Sequence, residues 1–427
     1  MKKITLILSL LLINTYEAQF KISIDAPESF AAKEVYLYTL NGSKDVLNSK
    51  EMKKGNSWQI SVNKPYTGMM KLYFPENNAS INFISENKDV KLKFDTDKDK
   101  IVNVDYLDES NKIMNQIQDV QQKKEYILPA LYQIKEYYKN KSVFGTALEN
   151  EIFRLSDQKI DISKFPFVNF YNTNYSKFLE KSASKKTTTH KEIIDFLTNS
   201  NDMLESSSLM RPVLIAYLNA GSTANVGEDV DKLLEAVNVE TPRGQTVLSE
   251  LIEIFDTYSM QDLKDKYLTE AKNLKCTINE RLSKTIATNM NTEIGAVFPN
   301  YVFGKATNTK AKSIYDVKAD KKVIVFWAST CSHCETDLPK IIEKYNAIKG
   351  QKSEVIAFSL DSDKTAYENK VKMLPWINDS ELKGWNSSFT ETYNIQATPT
   401  YFILDSTNKI IAKPNHAADV ISYLKLN

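Results

Sequence analysis

Two thiols three positions apart, in the run Cys331-Ser332-His333-Cys334, are the residues here whose type and spacing most directly suggest chemistry. In the first turn of a helix, residues i and i+3 lie on the same side, so sulfurs at that spacing can close and reopen a disulfide. The thiolate is the species that attacks in such exchange. A helix N-terminus points unpaired N–H groups and a partial positive charge at the first sulfur, which favours its thiolate. Cys331 is therefore expected to attack, and Cys334, further into the helix, to resolve the mixed disulfide. A protonated His333 would add positive charge beside the thiolate, stabilise the reduced form and shift the couple toward oxidising. Other readings of the pair fit less well. Zinc needs about four ligands, and the sequence has no second C-x-x-C and no closely spaced His pair. Haem attachment needs C-x-x-C-H, and Glu335 stands in the His position. An inert structural disulfide is left open by spacing alone. The residues favour a redox-active dithiol that uses no metal and no cofactor.

That chemistry needs the pair at the point where a strand hands over to a helix. Val323–Trp327 is a continuous apolar run, as in a strand buried on both faces. The helical stretch Cys334–Ile348 follows, then a second apolar strand, Val355–Leu360. Ser362 or Asp363 can cap a helix starting at Lys364. Thr400–Leu404 and Lys409–Ala412 are separated by Asp405-Ser406-Thr407-Asn408, a hairpin signal, and Ala417–Leu426 reads as a closing amphipathic helix. This order predicts an α/β domain with a parallel core over residues 293–427.

Residues 294–427 resemble the thioredoxin-like domain of the thiol:disulfide interchange family that includes the TlpA and ResA proteins. The resemblance is carried by Ile294-Gly295 with Phe298-Pro299, by Val325-Phe326-Trp327-Ala328, by Cys331–Cys334, by Asp337-Leu338-Pro339 and by Ala397-Thr398-Pro399-Thr400. It implies a thioredoxin-like fold and oxidoreductase activity on protein thiols or disulfides, more as reductase than oxidant. It also implies a periplasmic setting and a membrane electron donor. In that family the proline matching Pro399 follows a cis bond and lies against the disulfide, so Thr398 and Pro399 are expected to help receive substrate. Three positions depart from the pattern. Val325 stands where thioredoxin has a buried acid. Asp337 stands where the family commonly has a Glu able to exchange a proton with the buried thiol, and with its shorter side chain a plain helix-face charge is an equal reading. Thr330 replaces the usual Trp before the first cysteine and widens the surface there, while Trp327 is expected to pack in the core. The P-x-x-x-T/S-x-x-C arrangement of peroxiredoxins is not met: Ile324 and Ala328 precede Cys331 at the required positions, and Trp327 and Cys331 precede Cys334.

The rest of the chain carries less chemistry. Its 427 residues predict a multidomain protein, at about 100–200 residues per domain. Lys2 and Lys3, an apolar run from Ile4 to Ile13 and Ala18 make residues 1–18 a predicted signal peptide, too short in its apolar part to span a bilayer. No later run is long enough to span one. The mature chain is thus expected to be exported and periplasmic, without a membrane span. With 55 Lys+Arg against 54 Asp+Glu there is no general pull toward nucleic acid or anionic lipid. Neither common phosphate-cradling glycine loop occurs. Residues 19–104 alternate with period two, as in Phe20, Ile22 and Ile24 and in Val90, Leu92 and Phe94, and predict an antiparallel, β-sandwich-like domain. Residues 105–292 switch to helical spacing, with breakers at Pro129, Pro166, Pro212 and Pro242 and a solvated stretch at Lys181–Lys191. Cys276, near the start of a helical segment Leu274–Met290, is read as a buried free thiol, and His190 and His416 as surface residues. Since most of the chain lies outside the dithiol domain, a binding or scaffolding protein with a secondary thioredoxin-like domain is the alternative function.

Overall fold

A computed structural model describes residues 19–98, 100–138, 142–157, 160–180, 188–221 and 225–426. The predicted signal peptide and most of the polar stretch before Lys191 lie outside these. The chain packs as two compact units. One runs to Thr187 and takes in Ser200–Leu209; the other comprises Thr188–Asn199 and Met210–Asn427.

The first unit opens with eight strands: β1 (Phe20–Asp25), β2 (Glu34–Asn41), β3 (Lys44–Met52), β4 (Ser57–Val62), β5 (Thr67–Phe74), β6 (Ala79–Glu86), β7 (Val90–Asp97) and β8 (Lys100–Tyr106). They form two four-stranded sheets, β4-β1-β7-β8 and β3-β2-β5-β6. The alternating apolar residues of both sheets, including Ile22, Leu37, Trp58, Leu72, Phe83 and Leu92, meet in one core. The expectation of an antiparallel domain needs one correction, because β1 and β7 pair in parallel. The chain builds the whole of the other sheet between them and returns in the original direction, and a period-two pattern carries no information on strand direction. Segment 200–209 belongs here because it hydrogen-bonds to β5: Met69 N–H donates to Ser206 O at 2.8 Å and Ser206 Oγ to Thr67 O at 2.8 Å. Helices α1 (Glu109–Tyr126), α2 (Leu128–Tyr137), α3 (Val143–Ser156) and α4 (Pro166–Phe178) complete this unit.

The second unit starts with α5 (His190–Asn199), α6 (Met210–Ala220), α7 (Val226–Val237), α8 (Pro242–Thr257), α9 (Gln261–Lys272) and α10 (Glu280–Met290). The four prolines read as breakers all fall in first turns of helices, where a missing N–H costs nothing because that donor has no intrahelical partner. Helix α10 begins later than Leu274, because Asn279 caps it by accepting from Leu282 N–H at 2.8 Å. Cys276 therefore lies in the preceding loop, half-buried, with Gln245 Nε2 3.4 Å from its sulfur. His190 is half-buried: its ring lies 4.4 Å from that of Tyr217, and its Nε2 is 3.0 Å from Tyr217 O.

The C-terminal part is a thioredoxin-like α/β domain. Its elements are β9 (Lys321–Trp327), α11 (Ser332–Gly350), β10 (Ser353–Ser359), α12 (Lys364–Val371), β11 (Ile377–Ser380), α13 (Ser388–Thr392), β12 (Thr400–Asp405), β13 (Ile410–Ala412) and α14 (Ala417–Tyr423). The sheet order is β11-β10-β9-β12-β13, with the first three strands parallel and β12 antiparallel to β9 and to β13. Central β9 explains its unbroken apolar run: Val323, Val325 and Trp327 enter one core, Ile324 and Phe326 another. Helix α11 covers the first of these with Cys334, Leu338, Ile341 and Ile348. Trp327 is fully buried, as its reading as a packing residue requires.

Candidate active site

The turn from β9 into α11 presents the two cysteines. Cys331 is the N-cap of α11, with extended backbone, and its sulfur accepts from Cys334 N–H at 3.1 Å. This is one of the helix-end donors that have no partner within the helix. Cys331 and Cys334 are joined as a disulfide, with Cα atoms 5.2 Å apart. The two sulfurs are unequal, since Cys331 is half-buried whereas Cys334 is 1% exposed. Ser332, His333 and Thr330 surround the first cysteine, His333 and Thr330 exposed and Ser332 likewise open to solvent.

Two segments distant in sequence close on this turn. The Thr398–Pro399 peptide is cis, and Thr398 O lies 3.2 Å from Cys331 Sγ, close enough to accept from the thiol once the disulfide opens. Asp361, nearly buried after β10, holds the turn from the other direction. Its carboxylate accepts from Ser329 N–H at 2.9 Å and from Ser329 Oγ at 2.7 Å, and Ser359 Oγ donates to it at 2.7 Å. Asp361 therefore fixes the backbone two residues before Cys331. Sequence reasoning missed it. The one available signal was an acid directly after an apolar strand, in Asp361-Ser362-Asp363, of which Asp363 does cap α12 as expected.

Asp337 sits one turn beyond Cys334, but its oxygens are directed elsewhere. Oδ1 takes the Lys340 ammonium at 2.9 Å, and Oδ2 takes Ala417 N–H at 3.0 Å and Tyr401 OH at 3.4 Å. Burial alone would push this carboxyl up, but Lys340 and the Ala417 N–H outweigh it and hold the group below the usual carboxylate range. Such a group stabilises the fold fully above the unfolded carboxyl pKa of about 4, and that contribution is lost as pH falls through the lower folded value. Asp337→Asn should therefore lower stability at neutral pH and flatten the acid side of the stability curve, as chemical denaturation between pH 3 and pH 7 would measure. An unchanged acid limb would remove Asp337 as a pin between α11 and α14.

Among the described residues, no group of three or more His, Cys, Asp or Glu side chains converges as a metal site. No helix among them is long and apolar enough to cross a membrane.

Comparison with known proteins places this geometry. A family model described as thioredoxin-like matches residues 320–410. The thiol-disulfide oxidoreductase ResA of a Bacillus cereus strain is 30% identical over 127 residues, covering 28% of this chain and 69% of the relative. ResA of Bacillus thuringiensis subsp. konkukian is 32% identical over 125 residues, covering 28% of this chain and 68% of the relative. Among solved structures, the thioredoxin domain of a thiol-disulfide oxidoreductase from Bacteroides vulgatus aligns at 23% identity with a TM-score of 0.29, covering 31% of this chain and 96% of that one. The dithiol turn, Pro399 beside it and the matched relatives lead to one assignment: the chain belongs to the ResA family of thiol-disulfide oxidoreductases, as an enzyme with a thioredoxin-like domain.

Proposed function

We propose that this enzyme is exported to the periplasm and reduces disulfides in proteins through Cys331 and Cys334. The observation that carries the reading is the placement of Cys331 at the N-cap of α11, accessible and facing Thr398 O, with Cys334 buried behind it. In the reduced enzyme the Cys331 thiolate attacks one sulfur of a substrate disulfide. A mixed disulfide forms, and one substrate cysteine leaves as thiolate. The Cys334 thiolate then attacks Cys331 Sγ and releases the second substrate thiolate. Two electrons have passed to the substrate, and the enzyme is left in the Cys331–Cys334 disulfide form. A membrane electron donor returns two electrons to reopen it. Thr398 and Pro399 receive the substrate backbone beside the reacting sulfur. Asp337 pins α11 to α14 rather than shuttling the Cys334 proton. In the first unit we read the two sheets that share a core as a sandwich-like module.

A redox titration of the Cys331–Cys334 pair, with Cys276 replaced by serine, tests the direction. A potential near thioredoxin's, about −270 mV, is expected; a value near that of DsbA-type oxidants, about −120 mV, would reverse the assignment. A pair that never cycles would leave the binding-protein alternative. His333 is exposed, so its charge is worth at most about 1 kcal/mol to the couple. His333→Ala should accordingly shift the potential by no more than about 20 mV toward reducing. A shift several times larger would make His333 a main determinant of the potential.

A further inference from the structure

A cleft of about 680 Å³ opens beside the exchange site. Ala397, Pro399 and Thr400 line it, and they flank the Thr398 carbonyl that touches Cys331 Sγ. Helices α8 and α9 supply another wall, with Asp256, Lys264 and Lys272, and Lys413, the residue after β13, also reaches it. A segment outside the thioredoxin-like domain thus shapes the space next to the reacting sulfur.

The charges in this cleft are unequally matched. Asp256 is occupied by the Lys264 ammonium on Oδ1 and by Asn394 Nδ2 at 2.8 Å on Oδ2. Glu293 pairs with Lys272 at 2.7 Å, and Asp265 accepts from Gln261 Nε2 at 2.7 Å. Lys413 differs. Among the described residues no carboxylate lies within ion-pair distance of it, although Asp256 and Asp265 are near enough to act on it through space. Its ammonium lies 5.5 Å from the centre of the Phe402 ring, beside the Lys264 ammonium. Burial and the Lys264 charge push Lys413 down to about 8. A half-buried ammonium without a counter-ion is costly, and an anion from a ligand relieves that cost. For a polypeptide substrate, that anion is the carboxylate of an Asp or Glu side chain.

We propose that this cleft is a subsite for acidic side chains: Lys413, backed by Lys264, receives a carboxylate lying a few residues from the reacting cysteine of the substrate. The subsite rests on the exchange reading and names the substrate class that reading leaves open.

The test uses the oxidised full-length chain and two peptides, each carrying two cysteines and identical except for Asp or Asn a few residues from the first. A peptide thiolate attacks Cys331 Sγ, the Cys331–Cys334 bond breaks and Cys334 leaves as thiolate. The second peptide thiolate then attacks the peptide sulfur of the mixed disulfide and releases the Cys331 thiolate, so the peptide is oxidised by two electrons and the enzyme reduced by two. The Asp peptide should react about tenfold faster at low salt, through KM, as one charge-assisted hydrogen bond allows. The preference should shrink toward unity in about 1 M salt, where screening is complete within a few ångströms. Lys413→Gln should bring the Asp peptide down to the rate of the Asn peptide, while Lys413→Arg keeps the preference. Equal rates for the two peptides in the unmodified enzyme, or a preference that survives Lys413→Gln, would overturn the subsite. Should Lys413→Gln fail to fold, the salt dependence decides: a preference unmoved by salt overturns the subsite. Failure of the unmodified enzyme to oxidise dithiothreitol would instead overturn the exchange reading itself.

Discussion

Cys334→Ser is expected to accumulate covalent adducts through Cys331, whereas Cys331→Ser should lose thiol–disulfide exchange by at least about a thousandfold. The difference follows from position. Cys331 is the half-buried sulfur at the helix N-terminus, where Cys334 N–H and the helix dipole stabilise a thiolate. Cys334 is 1% exposed and meets only the Cys331 sulfur, which it attacks once that sulfur is held in a mixed disulfide. Removing Cys334 leaves the first attack intact and takes away the step that releases the substrate, so mixed disulfides persist. Removing Cys331 leaves a buried thiol without access to a partner. Both variants should carry Cys276→Ser, because Cys276 is a half-buried thiol in its own right. Non-reducing electrophoresis of Cys334→Ser after exposure to a mixture of protein disulfides, followed by mass mapping of the linked cysteine, reads the result. Adducts in equal amount in the Cys331→Ser variant, or none in Cys334→Ser, would remove Cys331 as the nucleophile.

The cysteine pair was legible in the sequence because the chemistry is local: both sulfurs belong to one helical turn, and a buried strand precedes it. The second half of the site is not local. Thr398 meets Cys331 from the start of the neighbouring strand β12, and only the resemblance carried by Ala397-Thr398-Pro399-Thr400 pointed to it. Asp361 had no such guide, since its role depends on β10 lying parallel to β9 and delivering a carboxylate to Ser329. Asp337 was read as an equal choice between proton carrier and helix-face charge, and Lys340, Ala417 and Tyr401, two of them distant in sequence, engage it. In the first unit, β3 went unread because its sequence, Lys44–Met52, is polar on both faces, as an edge strand can be. Gly42 and Gly55, in the turns that bound β3, take positive φ of 65° and 62°, which glycine adopts freely. The cleft beside Pro399 could not be read at all: it joins side chains from α8, α9 and the hairpin, and no periodicity connects them.

Arg281→Met should destabilise the second unit by about 3–5 kcal/mol, the cost of stranding a buried charge. Glu250 and Glu253 on α8 are buried, and both are bound by two arginines. Arg281 Nη2 lies 3.1 Å from Glu250 and Nη1 2.7 Å from Glu253, while Arg211 pairs with Glu250 at 2.7 Å and also with Glu253. Thr285 Oγ1 accepts from Arg281 Nη1 at 2.8 Å. Burial opposes charge on Arg281, but the two carboxylates outweigh it and hold the guanidinium firmly ionised. Two cations and two anions thus cancel among α6, α8 and α10. Methionine fills much of the arginine volume, so the loss is chiefly electrostatic: two buried carboxylates are left to share the Arg211 guanidinium. At about 2–4 °C per kcal/mol for a unit of this size, the melting temperature should fall by roughly 10 °C. Pairing Arg281→Met with Glu253→Gln should recover part of the loss, because one charge of each sign is then gone, and a double-mutant cycle isolates that coupling. A single-variant cost below about 1 kcal/mol would mean that the quartet is solvated and contributes little. The network also bears on the site, since Asp256 follows Glu253 by one helical turn and lines the cleft beside Pro399. A shift of α8 in Arg281→Met would therefore appear as a reduced preference for the Asp peptide, measured well below the lowered melting temperature.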